Sequence, residues 1–155
     1  MTDQTRRRAF YLWIAGAIVA LDQAAKALVD RYMELHESHT IVEGLARLTY
    51  VQNRGAAFGI LSDADLPYQS ILFSLISVLA LGAIAVYAWK LPVTSRLPQL
   101  ALALIMGGAV GNLLDRMRLG YVIDYVDVYW GRHHWPAFNV ADSAITCGAA
   151  LLIWD

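Results

Sequence analysis

Cysteine is almost missing from this chain: Cys147 is the only one among 155 residues. That excludes an intramolecular disulfide and any metal site built on a cysteine cluster. Cys147 lies in an apolar run with no histidine within helical reach, so it reads as a small packing residue rather than a nucleophile. Charge is scarce as well, 16% of residues against about 25% in an ordinary soluble domain. Low-complexity tracts and internal repeats, the latter frequent in small transporters, are absent. Histidines do not recur at an i,i+4 spacing; His133 and His134 are adjacent, their side chains diverge, and they read as solvated or interfacial rather than as metal ligands.

What the chain has instead is apolar residue, 58% of the total, gathered into long blocks. A bilayer-spanning helix needs about 20 mostly apolar residues, with a range of about 17–25. Four stretches meet or approach that length: 9–29, 67–89, 97–114 and 137–154. The expected architecture is one polytopic domain over 1–155, all-α in the membrane with a small β element. The segment 39–61, HTIVEGLARLTYVQNRGAAFGIL, is β-like in its middle, and Asn53-Arg54-Gly55 is a turn signal. It predicts a small sheet or platform at the membrane surface, over about 38–62. Residues 117–135 are too short to span and predict a short interfacial helix or loop. Tyr32, Tyr50, Tyr68, Tyr121, Tyr125, Tyr129, Trp130 and Trp135 fall in or beside these segments, as an interfacial aromatic belt would.

Basic residues orient the spans. Arg6, Arg7 and Arg8 precede the first, and Lys90 and Arg96 flank the acid-free turn KLPVTSR between the second and third. Segment 30–66 instead carries Asp30, Glu34, Glu37, Glu43, Asp63 and Asp65 against Arg31, Arg47 and Arg54. Both termini are therefore expected in the cytoplasm, with 30–66 and 117–136 outside. TRRRAFYLWIAGAIVAL also has the form of a secretory signal, with Ala25-Lys26-Ala27 as a small-residue cleavage site. Three further spans favour a retained first helix.

Ionisable groups inside spans are costly, by about 2.5–3.5 kcal/mol at a helix centre, and usually face the bundle interior. Asp22 and Lys26 in LDQAAK stand at i,i+4 and can pair. In GGAVGNLLDRM, Gly107 and Gly111 form a GxxxG pair suited to close helix approach. Asn112, Asp115 and Arg116 follow at i, i+3 and i+4, suited either to a structural network or to binding a peptide carbonyl or lipid ester. Asn139, Asp142 and Thr146 form a stripe in FNVADSAIT, and Asp142 needs a partner from elsewhere. GYVIDYVDV offers Asp124 and Asp127, of which at most one is expected to meet it, the other being a surface residue. Two carboxylates at an apolar boundary share a proton, so that one activates water and the other donates to a carbonyl. Taken alone they leave an aspartic peptidase and a proton-coupled transporter both open. A non-catalytic lipid-binding scaffold would not need the pair at all.

Together, LDQAAK, VQNRGAAFGIL, GGAVGNLLDR, GYVIDYVDV and FNVADSAIT, in this order and spacing, resemble lipoprotein signal peptidase, the type II signal peptidase of bacteria. The resemblance covers essentially the whole chain. Members often continue into a short basic tail, whereas this chain stops at Asp155. The resemblance implies four transmembrane helices, a β-cradle outside the membrane and a short interfacial helix before the fourth span. It implies cleavage of diacylglyceryl-modified prolipoproteins just before the lipidated cysteine, without metal or organic cofactor. Partners would be those substrates, membrane lipid and globomycin-type inhibitors, with no nucleic acid, and one chain would suffice. It places the enzyme in the bacterial cytoplasmic (inner) membrane with the site near the outer face. Catalysis would fall to Asp124 and Asp142, substrate binding to Asn53, Asn112, Arg116 and Asn139, and support to Asp22, Lys26 and Asp115.

Overall fold

The computed structural model describes residues 3–55, 68–92 and 94–155. Four helices carry the fold: α1 (Asp3–Tyr32), α2 (Gln69–Lys90), α3 (Arg96–Leu119) and α4 (Val140–Trp154). A four-stranded antiparallel sheet is built from β1 (Ser38–Val42), β2 (Ala46–Asn53), β3 (Val122–Trp130) and β4 (His133–His134), in that spatial order. The expected helices at 9–29, 67–89, 97–114 and 137–154 are all present with moved ends. Pro67, and residues 56–62 of the expected outer platform, lie outside the described residues.

α1, α2 and α3 are long and apolar enough to cross a membrane. α2 turns Leu72, Leu75, Leu79 and Val86 outward, a surface that suits hydrocarbon and not water. α4 has 15 residues, about 22 Å at 1.5 Å per residue. It is shorter than the expected 137–154 because Phe138 is drawn into the sheet. The Phe138 N–H donates to the Val126 carbonyl at 3.0 Å, and the Val126 N–H donates back at 2.8 Å.

The helices pack through glycines. A Cβ on Gly107 would stand 2.8 Å from the Ala15 carbonyl oxygen of α1, and one on Gly111 would stand 2.6 Å from Asp22 Oδ2. The GxxxG pair of α3 therefore faces α1. Gly108 of α3 lies directly against the Ala141 carbonyl of α4, and a Cβ on Gly148 of α4 would stand 2.6 Å from the Ala101 carbonyl of α3. α3 is thus the central helix, with small residues wherever α1 and α4 come closest.

No helix precedes α4 in the segment where a short interfacial one was expected; that stretch is β3, followed by β4. VIDYVDVYW is rich in β-branched and aromatic residues, and its backbone pairs with β2 from Asn53↔Val122 to Ala46↔Val128. Gly44, at φ 75°, closes the β1–β2 hairpin in a conformation that costs glycine little. Val29 and Met33 at the end of α1 form one core with Tyr50, Ile123 and Tyr125 of the sheet. The Tyr50 hydroxyl donates to Asp30 at 2.5 Å, tying β2 to the same helix end.

Candidate active site

The first turn of α4 is pinned from three directions. A helix N-terminus leaves backbone N–H groups without intrahelical partners. Here the Val140 N–H donates to the Tyr125 hydroxyl of β3 at 3.3 Å, and the Ala141 N–H to Asp22 Oδ1 of α1 at 3.0 Å. The Asp142 N–H donates to the side-chain oxygen of Asn139, the N-cap, at 2.8 Å. With its oxygen engaged, the Asn139 amide nitrogen turns outward and donates to Asp124 Oδ1 at 2.7 Å, with the Ile123 carbonyl and Asn112 Oδ1 each at 3.2 Å.

Both carboxylates are held by amides. Asp124 Oδ2 accepts from Asn53 Nδ2 at 3.0 Å, and Asp142 Oδ1 accepts from Asn112 Nδ2 at 2.8 Å. Asn112 is oriented in turn by Lys26, whose ammonium donates to its oxygen at 2.9 Å. Lys26 also contacts Asp22 Oδ2 and Asp115 Oδ2, each at 2.8 Å, which uses all three ammonium donors. Asp22, Lys26, Asp115, Asp124, Asn139 and Asp142 are all buried. Arg116 donates from Nη2 to the Gly55 carbonyl at 2.9 Å, while the Gly55 N–H donates to Asn53 Oδ1 at 2.8 Å. Every residue singled out in the sequence for catalysis, binding or support therefore belongs to one connected network.

Burial pushes the Asp124 carboxyl up to about 7, and the nearby charge of Asp142 adds to it. The hydrogen bond from Asn53, the charge of Lys26 and the hydrogen bond from Asn139 work the other way. Near neutral pH this carboxyl is thus poised between its two protonation states.

Asp127 is not the surface residue expected. It is buried, with Arg47 Nε at 2.5 Å and His134 Nδ1 at 3.0 Å. His134 stacks on Tyr129 at 5.2 Å. In a strand, residues three apart point to opposite faces, so Asp124 and Asp127 part company. Thr146, the last member of the expected stripe, is exposed. Asn139 stands before the helix as its cap rather than on a helical face.

One network member escaped the sequence reading. Gln23 donates from Nε2 to Asp115 Oδ1 at 2.8 Å and to the Gly111 carbonyl at 3.2 Å, and lies 3.3 Å from Asp22 Oδ2. Its polar amide within an apolar span, beside Asp22, was the available signal.

The chain resembles known proteins in both sequence and fold. The family model described as signal peptidase (SPase) II matches residues 14–155. The lipoprotein signal peptidase of Geobacter sulfurreducens is 55% identical over 96% of this chain and 91% of its own. That of Syntrophus aciditrophicus is 44% identical over 94% and 90%. A bacterial membrane enzyme solved by the in meso method at 2.3 Å superposes with a TM-score of 0.84 at 31% identity, over 94% of this chain and 86% of that one. A second, solved at 1.9 Å, gives 0.83 at 27% identity, over 94% and 91%. With its apolar helices, the chain is an integral membrane protein and a protease by kinship.

Proposed function

Since the chain belongs to the signal peptidase II family, we propose that it removes signal peptides from diacylglyceryl-modified prolipoproteins as an aspartic endopeptidase, cutting just before the lipidated cysteine. The observation that carries the mechanism is the Asn139 side chain, which holds Asp124 through its nitrogen and the Asp142 backbone through its oxygen.

In this reading Asp124 and Asp142 share one proton. Four buried carboxylates (Asp22, Asp115, Asp124 and Asp142) stand among the single buried ammonium of Lys26 and the partly buried guanidinium of Arg116. A proton on the pair lowers that excess of negative charge. The ionised member takes a proton from water as its oxygen attacks the scissile carbonyl carbon, and the protonated member donates to the carbonyl oxygen. Collapse of the tetrahedral intermediate breaks the C–N bond. The amine of the lipidated cysteine leaves with a proton from the pair, one hydroxyl of the intermediate returns a proton to the pair, and the signal peptide departs as an acid that ionises to its carboxylate. Titration of the pair belongs to both residues together.

Asn53, Asn112, Asn139 and Arg116 border the carboxylates and are assigned to substrate. Arg116 already holds one peptide carbonyl, that of Gly55, and suits another. Asp22, Lys26 and Asp115 fix Asn112 and the α4 first turn. Both termini lie in the cytoplasm and the site faces the outer half of the inner membrane, where a diacylglyceryl anchor would hold the cysteine. One chain acts alone, and a globomycin-type cyclic peptide blocks the site.

The test is a gel-shift assay in detergent with a diacylglyceryl-modified prolipoprotein. Wild type cleaves it, the antibiotic stops cleavage, and Asp124→Asn and Asp142→Asn each lose about 10²–10⁴-fold or more, the share of a general acid or base. Turnover near wild type in either variant overturns the dyad. No cleavage by folded wild type overturns the peptidase assignment.

A further inference from the structure

At the end of the bundle away from Asp124 and Asp142, the start of α1 meets the end of α2. Arg8 donates from Nη2 to the Trp89 carbonyl at 3.1 Å, and its guanidinium lies 4.0 Å from the centre of the Trp89 ring. The Arg8 Nε is buried and donates to no protein group among the described residues, a costly arrangement for a guanidinium N–H.

Two mainly apolar recesses meet at this pair. One, of about 170 Å³, runs between α1, α2 and α3 and is lined mainly by apolar groups such as Leu12, Ala15, Ala88, Leu102 and Met106. The other, of about 370 Å³, lies across Arg8 and Trp89 and adds the polar side chains of Gln4 and Thr5. Gln99 of α3 donates to the Ala88 carbonyl at 3.1 Å and the Leu91 carbonyl at 3.3 Å, so the end of α2 is tied to α3 beside the apolar recess. Arg6, Arg7, Arg8, Lys90 and Arg96 lie at the helix ends on this side, against Asp3 and Asp155.

We propose that this is a binding site for one anionic glycerophospholipid, with an acyl chain in the apolar recess and the phosphate at Arg8 beside Gln4 and Thr5. An apolar slot with a cation at its mouth, whose buried Nε lacks a protein acceptor among the described residues, matches an amphiphile carrying negative charge. Basic pockets between transmembrane helices bind such headgroups. The local excess of Lys and Arg favours a net-anionic lipid over a zwitterionic one. The site shares no residue with the Asp124–Asp142 network, and the inference stands whether or not the peptidase assignment does.

The experiment is native mass spectrometry of the full chain in detergent, titrated with phosphatidylglycerol, with phosphatidylcholine of the same acyl chains, and with inorganic phosphate. One phosphatidylglycerol should bind at least about fivefold more tightly than phosphatidylcholine, the weight of one basic side chain near an anionic headgroup. Arg8→Gln should abolish that preference. Ala88→Leu, which fills the apolar recess, should weaken phosphatidylglycerol while leaving the cation in place. Thermal melting of each variant checks the fold, and Ala88→Leu decides if Arg8→Gln does not fold. Equal binding of the two lipids overturns the proposal, as does an unchanged preference in a folded Arg8→Gln. Competition by inorganic phosphate as effective as the lipid would remove the acyl chain from the site and overturn it too.

Discussion

Asn139 and Asp124 meet through a 2.7 Å hydrogen bond that joins the cap of α4 to the middle of the sheet. The oxygen of the same amide takes the Asp142 N–H, so one side chain sets the spacing of the two carboxylates. The cap is ordinary helix chemistry. Its second use, pointing a donor at a residue 15 positions earlier, makes it part of the site.

Asn139→Ala removes both uses. Loss of an N-cap costs about 1 kcal/mol, so the melting temperature should fall modestly. Turnover should fall far more than that, with kcat reduced at least about 10²-fold, because the carboxylates lose their common reference. A single-turnover assay beside a melt separates the effects; loss of stability with kcat intact would make Asn139 a cap only.

Asp127 is the control for the choice of carboxylates. It neutralises Arg47 and holds His134 on the other face of β3. Asp127→Asn should leave cleavage within a few-fold of wild type while lowering stability, by about 1–3 kcal/mol for a disturbed buried hydrogen-bonding group. Detergent melts and the gel-shift assay read the two separately. Abolished turnover with an unchanged melt would mean that Asp127 belongs to the chemistry.

How much of this was readable in the sequence depends on the distance between partners. Asp22 and Lys26 lie one helical turn apart, so the 3.6-residue period gives their pairing directly. Gly107 and Gly111 likewise announce a close helix contact. Gln23 has its partners at Gly111 and Asp115, which no local period connects to it. Residues 122–125 are buried on both faces, so the alternation that marks a half-exposed strand is blurred there. Asp127 looked superficial because its burial comes from Arg47, on a strand 80 residues earlier. The resemblance alone selects Asp124 over Asp127; in the structure the two lie on opposite faces of one strand, Asp124 bonded to Asn139 and Asp127 to Arg47.

pH should act through the dyad with a definite sign. Asp124 is raised from the ordinary carboxylate value near 3.8 to about 7, so the folded state holds this proton more tightly than the unfolded chain. Its contribution to stability is complete below about 4 and is lost as pH rises through 7. Melting temperature measured from pH 4 to 8 should therefore show a downward component in wild type that disappears in Asp124→Asn. Cleavage by wild type should decline above about pH 7 as the shared proton is lost. Parallel melting curves for the two proteins would contradict the raised value.

Glycine substitutions test whether the site depends on helix approach. Gly108→Ala drives a methyl group into the Ala141 carbonyl, next to Asp142, while Gly82 has open space around it. Gly108→Ala should lower both the melting temperature and cleavage, and Gly82→Ala should lower neither. Equal behaviour of the two would mean that α3 and α4 separate without cost to the site.

Lys26 shows what it takes to keep four carboxylates in one bundle. Its ammonium stands between Asp22 and Asp115 and orients Asn112 toward Asp142. Lys26→Met keeps the bulk and removes the charge. Breaking a buried ion pair on one side costs about 3–5 kcal/mol, so the variant should melt much earlier or fail to accumulate. Lys26→Met with Asp115→Asn removes one negative charge along with the positive one and should recover part of that loss. It should not recover turnover, because Asn112 still lacks the donor that aims it. Stability returning without activity would separate charge balance from aim; both returning together would reduce Lys26 to a counter-ion.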